Sequence, residues 1–288
     1  MSNSTQETQK PDHWSESAYT TAASFVPKLT TKVLQYLSPQ PGDQILDLGC
    51  GDGLLTSHIA TSVLPGGTVK GIDASPSFIK TATQKYTTEN CTFQIQDVTT
   101  FSPKTTQDFP AGKYDKIFSN AALHWILRNP ATRLGVLESA FAALTPGGKF
   151  VFEMGGHGNV AETHSALILA LITLANLSPQ AARDKSPWFF PDAEWMRATL
   201  SKIGFEVEIS EIEYRPTEMT TTDSDGKGGL EGWVRLMDAC FLEGLGKEKV
   251  DEVVELVCEG VKESVTREDG GQWLGYVRLR VVARKPAV

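Results

Sequence analysis

A glycine-rich segment that follows an apolar run is the feature that most constrains how this chain folds. The segment reads DLGCGDG at residues 47–53, after the apolar residues Ile45 and Leu46, and a helical pattern begins at Leu54. This order predicts a strand, a glycine turn and the start of a helix. Glycine lets a ligand approach the bare backbone of such a turn, and the unpaired N–H groups of the helix start face that ligand. We therefore expect a strand-turn-helix unit that holds a small molecule.

Strand and helix patterns alternate along the chain after this unit. The predicted strands cover residues 44–48, 68–72, 92–96, 114–119, 149–154, 205–214 and 272–283. Helical patterns lie between most of them, and the first strands are short and apolar. Repeated βα units with apolar strands are typical of a parallel sheet covered by helices on both faces. The sequence thus predicts an α/β fold.

Composition excludes several classes of function. The chain has 288 residues, a net charge of −8 and four cysteines without a C-x-x-C pair. Nucleic-acid binding needs concentrated Lys and Arg, so we expect no nucleic-acid partner. The densest basic stretch, residues 278–285, alternates with apolar residues and predicts one polar face of a strand. Scattered cysteines indicate reduced thiols and no metal site.

The chain also lacks the patterns of a membrane or secreted protein. Its most hydrophobic stretch, residues 166–177, is too short to span a bilayer, and its polar N-terminus has no apolar signal core. We therefore expect a cytoplasmic protein that does not bind membranes. Residues 1–13 are polar without periodicity, which predicts disorder.

Polar residues follow the first four predicted strands. Asp73 ends strand two about twenty residues after the glycine turn, Asp97 and Val98 follow strand three, and Asn120 follows strand four. Open α/β sheets bind ligands at the carboxyl ends of their strands, and an acidic residue in the position of Asp73 accepts hydrogen bonds from ribose hydroxyls. A dinucleotide fingerprint would need Gly or Ala at position 54, where this chain has Leu54. This difference disfavours NAD and favours another nucleoside cofactor.

The glycine turn resembles the signature acidic-x-G-x-G-x-G of the class I S-adenosylmethionine (SAM) methyltransferases. The resemblance extends over residues 16–288. The segments YTTAASFVPKL, GIDASPSFI, SNAALHWI, FEMGGHGN and PWFFP further resemble the small-molecule branch typified by trans-aconitate methyltransferase. The resemblance implies a Rossmann-like sheet of seven strands in the order 3-2-1-4-5-7-6, with strand seven antiparallel and a helical lid.

The resemblance also implies an organisation into one methyltransferase domain, residues 14–288. Within it, residues 14–40 would form an N-terminal lid helix and residues 41–154 the SAM-binding core. Residues 155–204 and 215–271 would form the helices and lid on the acceptor side. We expect a monomer or a homodimer.

Roles for individual residues follow from the same resemblance. The methionine part of SAM would lie against the glycine turn, the ribose against Asp73 and the adenine between Ala74 and the pair Asp97 and Val98. Asn120 would lie near the sulfonium. The residues implied in cofactor binding are Tyr19, Phe25, Asp47, Gly49, Cys50, Gly51, Asp73, Ala74, Asp97, Val98 and Asn120.

Candidates for the acceptor pocket follow the fourth and fifth strands and flank the later insertion. His124 is the candidate catalytic base, Trp125 is a candidate pocket wall, and His157 is a candidate substrate contact. Arg215 and Arg235 are candidate partners for an anionic acceptor, because a buried carboxylate needs fixed cations.

These features support one leading function and two alternatives. The leading hypothesis is transfer of a methyl group from SAM to a carboxylate oxygen of a small organic acid, by in-line displacement at the sulfonium. One alternative is methylation of nitrogen, carbon or a phenol with His124 as base. The other is a SAM-binding protein or cyclase of the same fold that does not transfer the methyl group.

Overall fold

Seven strands form the centre of the molecule. The computed structural model describes residues 31–100, 111–220 and 228–287. The strands are β1 (Gln44–Leu48), β2 (Thr68–Asp73), β3 (Cys91–Ile95), β4 (Tyr114–Asn120), β5 (Leu144–Gly155), β6 (Glu206–Glu218) and β7 (Trp273–Arg284). The fifth and sixth strands are longer than their apolar patterns predict, because β5 begins before its glycine pair and β6 continues through residues 215–218.

The helices lie between these strands and follow them in the chain. They are α1 (Thr31–Leu37), α2 (Leu54–Ser62), α3 (Pro76–Tyr86), α4 (Leu123–Ile126), α5 (Pro130–Ala143), α6 (Ala161–Leu174), α7 (Pro179–Asp184), α8 (Ala193–Ile203), α9 (Gly229–Met237), α10 (Ala239–Leu242) and α11 (Lys247–Val265). None of the helices in the described part of the chain is long and apolar enough to cross a membrane.

The strands pair in one sheet with the order β3-β2-β1-β4-β5-β7-β6. Pairing is parallel from β3 through β5, and β7 runs antiparallel to both β5 and β6. The sheet order and the antiparallel seventh strand are therefore confirmed. This topology places the carboxyl ends of the five parallel strands at one edge, where the polar residues of the sequence motifs meet.

Local sequence signals explain where the helices start. Ser75 accepts a hydrogen bond from the Phe78 N–H at 3.2 Å at the start of α3, and Pro76 occupies the first helical position. Asp192 accepts one from the Trp195 N–H at 2.7 Å at the start of α8. Side-chain caps of this kind satisfy donors that a helix start leaves unpaired.

Apolar side chains pack on both faces of the sheet and in a separate helical layer. Helices α4, α5 and α8 cover one face, and α1 and α2 cover the other. The third cluster joins α6, α9 and α11, where the valine stripe of α11 (Val253, Val254, Val257 and Val261) is buried inside the chain. This layer consists of helices from the chain segments that follow β5 and β6, which the sequence predicted to lie on the acceptor side.

Candidate active site

The glycine turn connects β1 to α2 and is held against the end of β2. The Gly49 and Cys50 N–H groups both donate to the Ile72 carbonyl oxygen, at 2.8 and 3.0 Å. The Gly51 N–H donates to Asp73 Oδ2 at 3.0 Å. The turn predicted from the sequence and the acidic residue at the end of β2 are therefore in direct contact.

The glycines of the turn serve different purposes. A Cβ atom on Gly49 would lie 2.3 Å from the Ala122 Cβ, and one on Gly53 would lie 2.7 Å from the Ala82 Cβ, so both positions are closed by packing. Gly51 has φ +55° and nothing within 4 Å of its Cβ position among the described residues. The backbone at Gly51 is thus exposed to the space at the sheet edge, as a ligand-binding turn requires.

Asp47 is a buried carboxyl group behind this turn. It is 2% exposed and accepts a hydrogen bond from Thr56 Oγ1 at 2.6 Å. Burial raises the pKa of Asp47 to about 7, the Thr56 hydrogen bond opposes that rise, and the negative charge of Asp73 adds to it. A cation placed here would remove the cost of ionising this carboxyl group.

Asp73 accepts hydrogen bonds on both oxygens. In addition to the Gly51 contact, its Oδ1 accepts from the Ser75 N–H at 2.9 Å. Its backbone carbonyl accepts from the Gln96 N–H at 2.8 Å, which ties the end of β3 to the end of β2. Ala74, beside it, is exposed at this edge.

The residues after β3 form a short capped turn. Asp97 is exposed, and its Oδ1 accepts from the Thr99 N–H at 2.9 Å and from Thr99 Oγ1 at 2.8 Å. Val98 is 3% exposed and packs in the core. This part of the edge therefore offers an exposed carboxylate beside a fixed backbone.

Asn120 ends β4 at the same edge. Its Oδ1 is buried and has no hydrogen-bond partner among the described residues. The preceding Ser119 is tied to β1 by its hydroxyl group, which donates to the Leu48 carbonyl oxygen at 2.7 Å. A buried amide oxygen without a partner is costly, so this atom calls for a hydrogen-bond donor from outside the described residues.

His124 lies one turn further on, at the start of α4. Its Nδ1 accepts a hydrogen bond from the Gly155 N–H at 3.2 Å. Burial lowers the pKa of His124 to about 3, and the positive charge of Arg278 contributes to the same shift. The ring is therefore neutral, with its proton on Nε2, and its basic nitrogen is already occupied. This arrangement argues against the base role expected for His124.

Aromatic side chains surround His124. The rings of Trp125 and Phe190 each lie 5.7 Å from its ring centroid, and Trp188 stacks on Phe190 at 5.4 Å. Trp125 meets Trp188 edge to face at 5.5 Å. The structure thus places Trp125 in an aromatic wall with the residues of the PWFFP segment.

Sequence reasoning missed a second histidine in this wall. His164 of α6 lies 5.6 Å from Trp188 and 5.7 Å from Phe241, with its Nε2 at 3.1 Å from Ser186 Oγ. Burial lowers the pKa of His164. The helical pattern of α6 showed an apolar helix, but no signal in the sequence tied it to PWFFP.

The structure also shows the surroundings of His157, Arg215 and Arg235. His157 is exposed in the loop after β5. Arg215 was predicted to flank the insertion after strand six, but it lies within β6, and its Nη2 binds Glu153 Oε1 at 3.0 Å.

Arg235 points to the surface of the helical layer. It binds Glu231 and Asp251, each at 2.9 Å. Both arginines are thus held by carboxylates of the chain itself, because strand and helix positions set their direction in a way that sequence proximity to a loop does not reveal. The cofactor candidates Tyr19 and Phe25 lie outside the described residues.

Comparison with known proteins identifies the family. A family model described as a methyltransferase domain matches residues 39–186. An uncharacterised methyltransferase of Schizosaccharomyces pombe is 33% identical over 274 residues, which is 95% of this chain and 98% of the relative. The chain belongs to this methyltransferase family. It is a SAM-dependent methyltransferase, as the glycine turn predicted.

Two further similarities bear on this methyltransferase. The trans-aconitate 2-methyltransferase of Delftia acidovorans is 26% identical, over 95% of this chain and 99% of the relative. A Haemonchus contortus phosphoethanolamine N-methyltransferase 2, solved with SAM, shares the fold with a TM-score of 0.51 at 19% identity. That match covers 90% of this chain and 52% of the other.

The methyltransferase also has an open groove away from the sheet edge. It has a volume of about 650 Å³ and lies between α6 and α11, with Leu169, Leu174 and Leu256 among its lining residues. None of the motif residues lines it. The residues of the sequence motifs thus lie at the carboxyl end of the sheet and not in this groove.

Proposed function

We propose that this methyltransferase transfers the methyl group of SAM to a carboxylate oxygen of a small organic acid. The observation that carries the proposal is the state of His124, which is neutral and has its Nδ1 engaged by the Gly155 N–H. An acceptor that must lose a proton would need a base in this position. A carboxylate is ionised at neutral pH and needs none.

The sheet edge fits the parts of SAM. Buried Asp47 would meet the amino group, because a nearby cation favours the ionised carboxylate. The turn at Gly49, Cys50 and Gly51 would hold the methionine part against its backbone. Asn120, whose buried Oδ1 has no partner in the described chain, would accept a hydrogen bond from the same end of SAM.

The remaining edge would hold the nucleoside. Asp73 would accept the ribose hydroxyls, Ala74 would lie against the adenine, and Asp97 with Val98 would hold its amino group. Tyr19 and Phe25 would close over the cofactor. All of these assignments extend the family resemblance to the contacts described above.

Alignment would supply most of the catalysis. SAM brings a methyl group on a positively charged sulfur, which is already activated toward a nucleophile. Holding the reactants in line at near-attack distance contributes on the order of 7 kcal/mol at best. The aromatic residues Trp125, Trp188 and Phe190 would exclude water from the acceptor side.

Full-length similarity to trans-aconitate 2-methyltransferases supports the carboxylate acceptor, since the named reaction of those proteins is transfer to an organic acid. The alternative of nitrogen, carbon or phenol methylation with His124 as base gains no support from the geometry.

The test uses SAM labelled on its methyl group and a panel of acids, phenols and amines. Products would be treated with mild base, which releases methanol from an ester and leaves N-, C- and phenol-methylated products intact. We expect label in methanol and, at saturating SAM, a rate that is flat with pH above 6. Base-stable label, or a basic limb that His124→Gln abolishes, would refute the proposal.

A further inference from the structure

A buried cluster of charges lies where the carboxyl end of β5 pairs with the middle of β7. Glu153 is 2% exposed and shared by three arginines. Its Oε1 lies 3.0 Å from Arg215 Nη2, and its Oε2 lies 2.6 Å from Arg280 Nε. Arg278 Nε lies 3.8 Å from Oε1, beyond hydrogen-bond length, although Arg278 is only 4% exposed. Among the described residues, Glu153 is thus the carboxylate that these three guanidinium groups share.

The carboxylates that balance Arg280 lie on its outer side. Arg280 also pairs with Glu213, and its Nη1 lies 3.6 Å from Glu211 Oε1. The side chains of Glu213 and Glu211 are 41% and 34% exposed. The Arg278 guanidinium lies 4.6 Å from the centroid of the Tyr276 ring. Arg278 and Arg280 are therefore two buried guanidinium groups on the same face of β7.

Strand register places Arg278 next to His124. Arg278 pairs with Gly155 across β7 and β5, and the N–H of Gly155 is the group that binds His124 Nδ1. The charge of Arg278 reaches the imidazole, since it helps to lower the pKa of His124. Arg278 and His124 thus belong to one site although 153 positions separate them in the chain.

The same register relates Arg278 to the cofactor edge. Asn120 pairs with Glu153, and Glu153 pairs with Arg280, so these residues form one row across three strands. Arg278 lies two strands and two residues from Asn120. With strand spacings of about 4.8 Å and a rise of about 3.3 Å per residue, their Cα atoms are about 12 Å apart. A small acid bridges such a distance once the long arginine side chain is counted.

We infer that Arg278 binds the carboxylate of the acceptor beside the proposed SAM site. The inference rests on the proposed function. One oxygen of the carboxylate pairs with the guanidinium, and the other forms a bond to the methyl carbon. The carbon–sulfur bond breaks, its electron pair stays on sulfur as a neutral thioether, and the product is a methyl ester. No proton is transferred in this step.

The same contact explains how substrate and product are distinguished. The acid carries a negative charge that complements the buried arginines, and the ester does not. Methylation therefore removes the charge-assisted interaction with Arg278 and favours release of the product. A neutral amide of the same shape lacks the charge from the start.

The test measures anion binding separately from turnover. The wild-type protein, saturated with S-adenosylhomocysteine, would be titrated calorimetrically with hexanoate and benzoate and with the primary amides of both acids. The variants are Arg278→Gln and Arg278→Lys. The matched control is Arg284→Gln, which changes an arginine on the same strand and the same face whose side chain is 41% exposed and pairs with Glu206.

We expect the wild type to bind at least one acid tenfold or more tightly than its amide. Arg278→Gln should lose this preference, Arg278→Lys should keep part of it, and Arg284→Gln should keep all of it. Unchanged affinity for S-adenosylhomocysteine in each variant shows that the fold persists. The inference is overturned if Arg278→Gln, with that affinity intact, still prefers the acid, or if the wild type shows no preference.

Labelled SAM separates this result from the proposed function. Ester formation that is unaffected by Arg278→Gln would overturn the role of Arg278 and leave carboxyl methylation standing. An acid preference that depends on Arg278, together with base-stable methylated product, would overturn the proposed function and leave the anion site standing, with the acceptor atom elsewhere on an anionic substrate.

Discussion

Binding of S-adenosylhomocysteine should release a proton from Asp47 below pH 7. Burial raises the pKa of this carboxyl group to about 7, so it is mostly protonated in the free protein at pH 6. The amino group of the ligand would ionise Asp47 in the complex. The expected release is about 0.9 proton per ligand at pH 6 and about 0.1 at pH 8. Affinity should improve about fivefold between pH 6 and pH 7 for the same reason.

Calorimetry in buffers of different ionisation enthalpy measures this release directly. The observed enthalpy plotted against the ionisation enthalpy of the buffer has a negative slope, because the buffer takes up the released protons, and its magnitude equals the number of protons released. Asp47→Asn should reduce the slope at pH 6 to near zero and weaken binding. Asp192→Asn is the matched control, because Asp192 caps α8 and asparagine caps helices equally well. A wild-type slope near zero, or an equal slope in Asp47→Asn, would refute the placement of Asp47 against the amino group.

The same carboxyl group should affect the stability of the free protein. The pKa of Asp47 is raised from the usual value of 3.8 to about 7 in the folded state. Between these two pH values the folded state holds a proton on Asp47 that the unfolded state has lost, so the protein loses stability as pH rises through this range. Between pH 6 and pH 8 the expected loss is about 1 kcal/mol, and it ends above the folded pKa. Chemical denaturation at both pH values should show this loss in the wild type and not in Asp47→Asn.

The remaining predictions concern the turn and the strand ends. Asp73→Ala should weaken binding of S-adenosylhomocysteine by about 1.5–3 kcal/mol in calorimetry, since it removes charge-assisted hydrogen bonds, and an unchanged affinity would contradict the ribose assignment. Asp97→Ala, at an exposed turn, should weaken binding of S-adenosylhomocysteine by less than Asp73→Ala does. Gly49→Ala should lower the denaturation midpoint strongly, because its Cβ would lie 2.3 Å from that of Ala122. At Gly51 a Cβ atom would have open space, so Gly51→Ala should cost only about 1–2 kcal/mol of stability, because of its strained φ. This variant should lose more in affinity for S-adenosylhomocysteine than in stability. Equal losses of stability in Gly49→Ala and Gly51→Ala would contradict this reasoning.

The sequence predicted the fold well because its signals are local. Apolar segments of strand length, prolines and glycines at the turns and a capped helix start such as Ser75-Pro76 each act within a few residues. The strand order came from the family resemblance rather than from these signals. The limits of β5 and β6 were predicted less well, because pairing of Leu144 with β4 starts β5 earlier and pairing with β7 carries β6 beyond its apolar pattern.

The candidate site likewise has one part that local sequence signals predict and another part that depends on contacts between distant segments. The proposed cofactor residues lie directly after strands, so topology alone brings them to one edge. The acceptor side depends on contacts between distant segments, such as Gly155 with His124 and with Arg278. The alternating pattern at residues 278–285 predicted an ordinary polar strand face, yet Arg278 and Arg280 are buried. Burial of a strand face depends on the segments that pack on it from elsewhere in the chain, and the pattern of a single strand does not show that β7 is buried over nearly its whole length.

This division has a consequence for how the acceptor is chosen. The proposed cofactor residues in the described chain lie on or directly after β1 to β4, whereas Glu153, Arg215 and Arg278 belong to β5, β6 and β7. Under the two proposals, changes on β5, β6 and β7 should therefore alter the acceptor while the site at β1 to β4 keeps its ligand. If Arg278 binds the acceptor, its replacement should change acid affinity without changing that of S-adenosylhomocysteine. Loss of both together would show that the two halves of the sheet form one inseparable site.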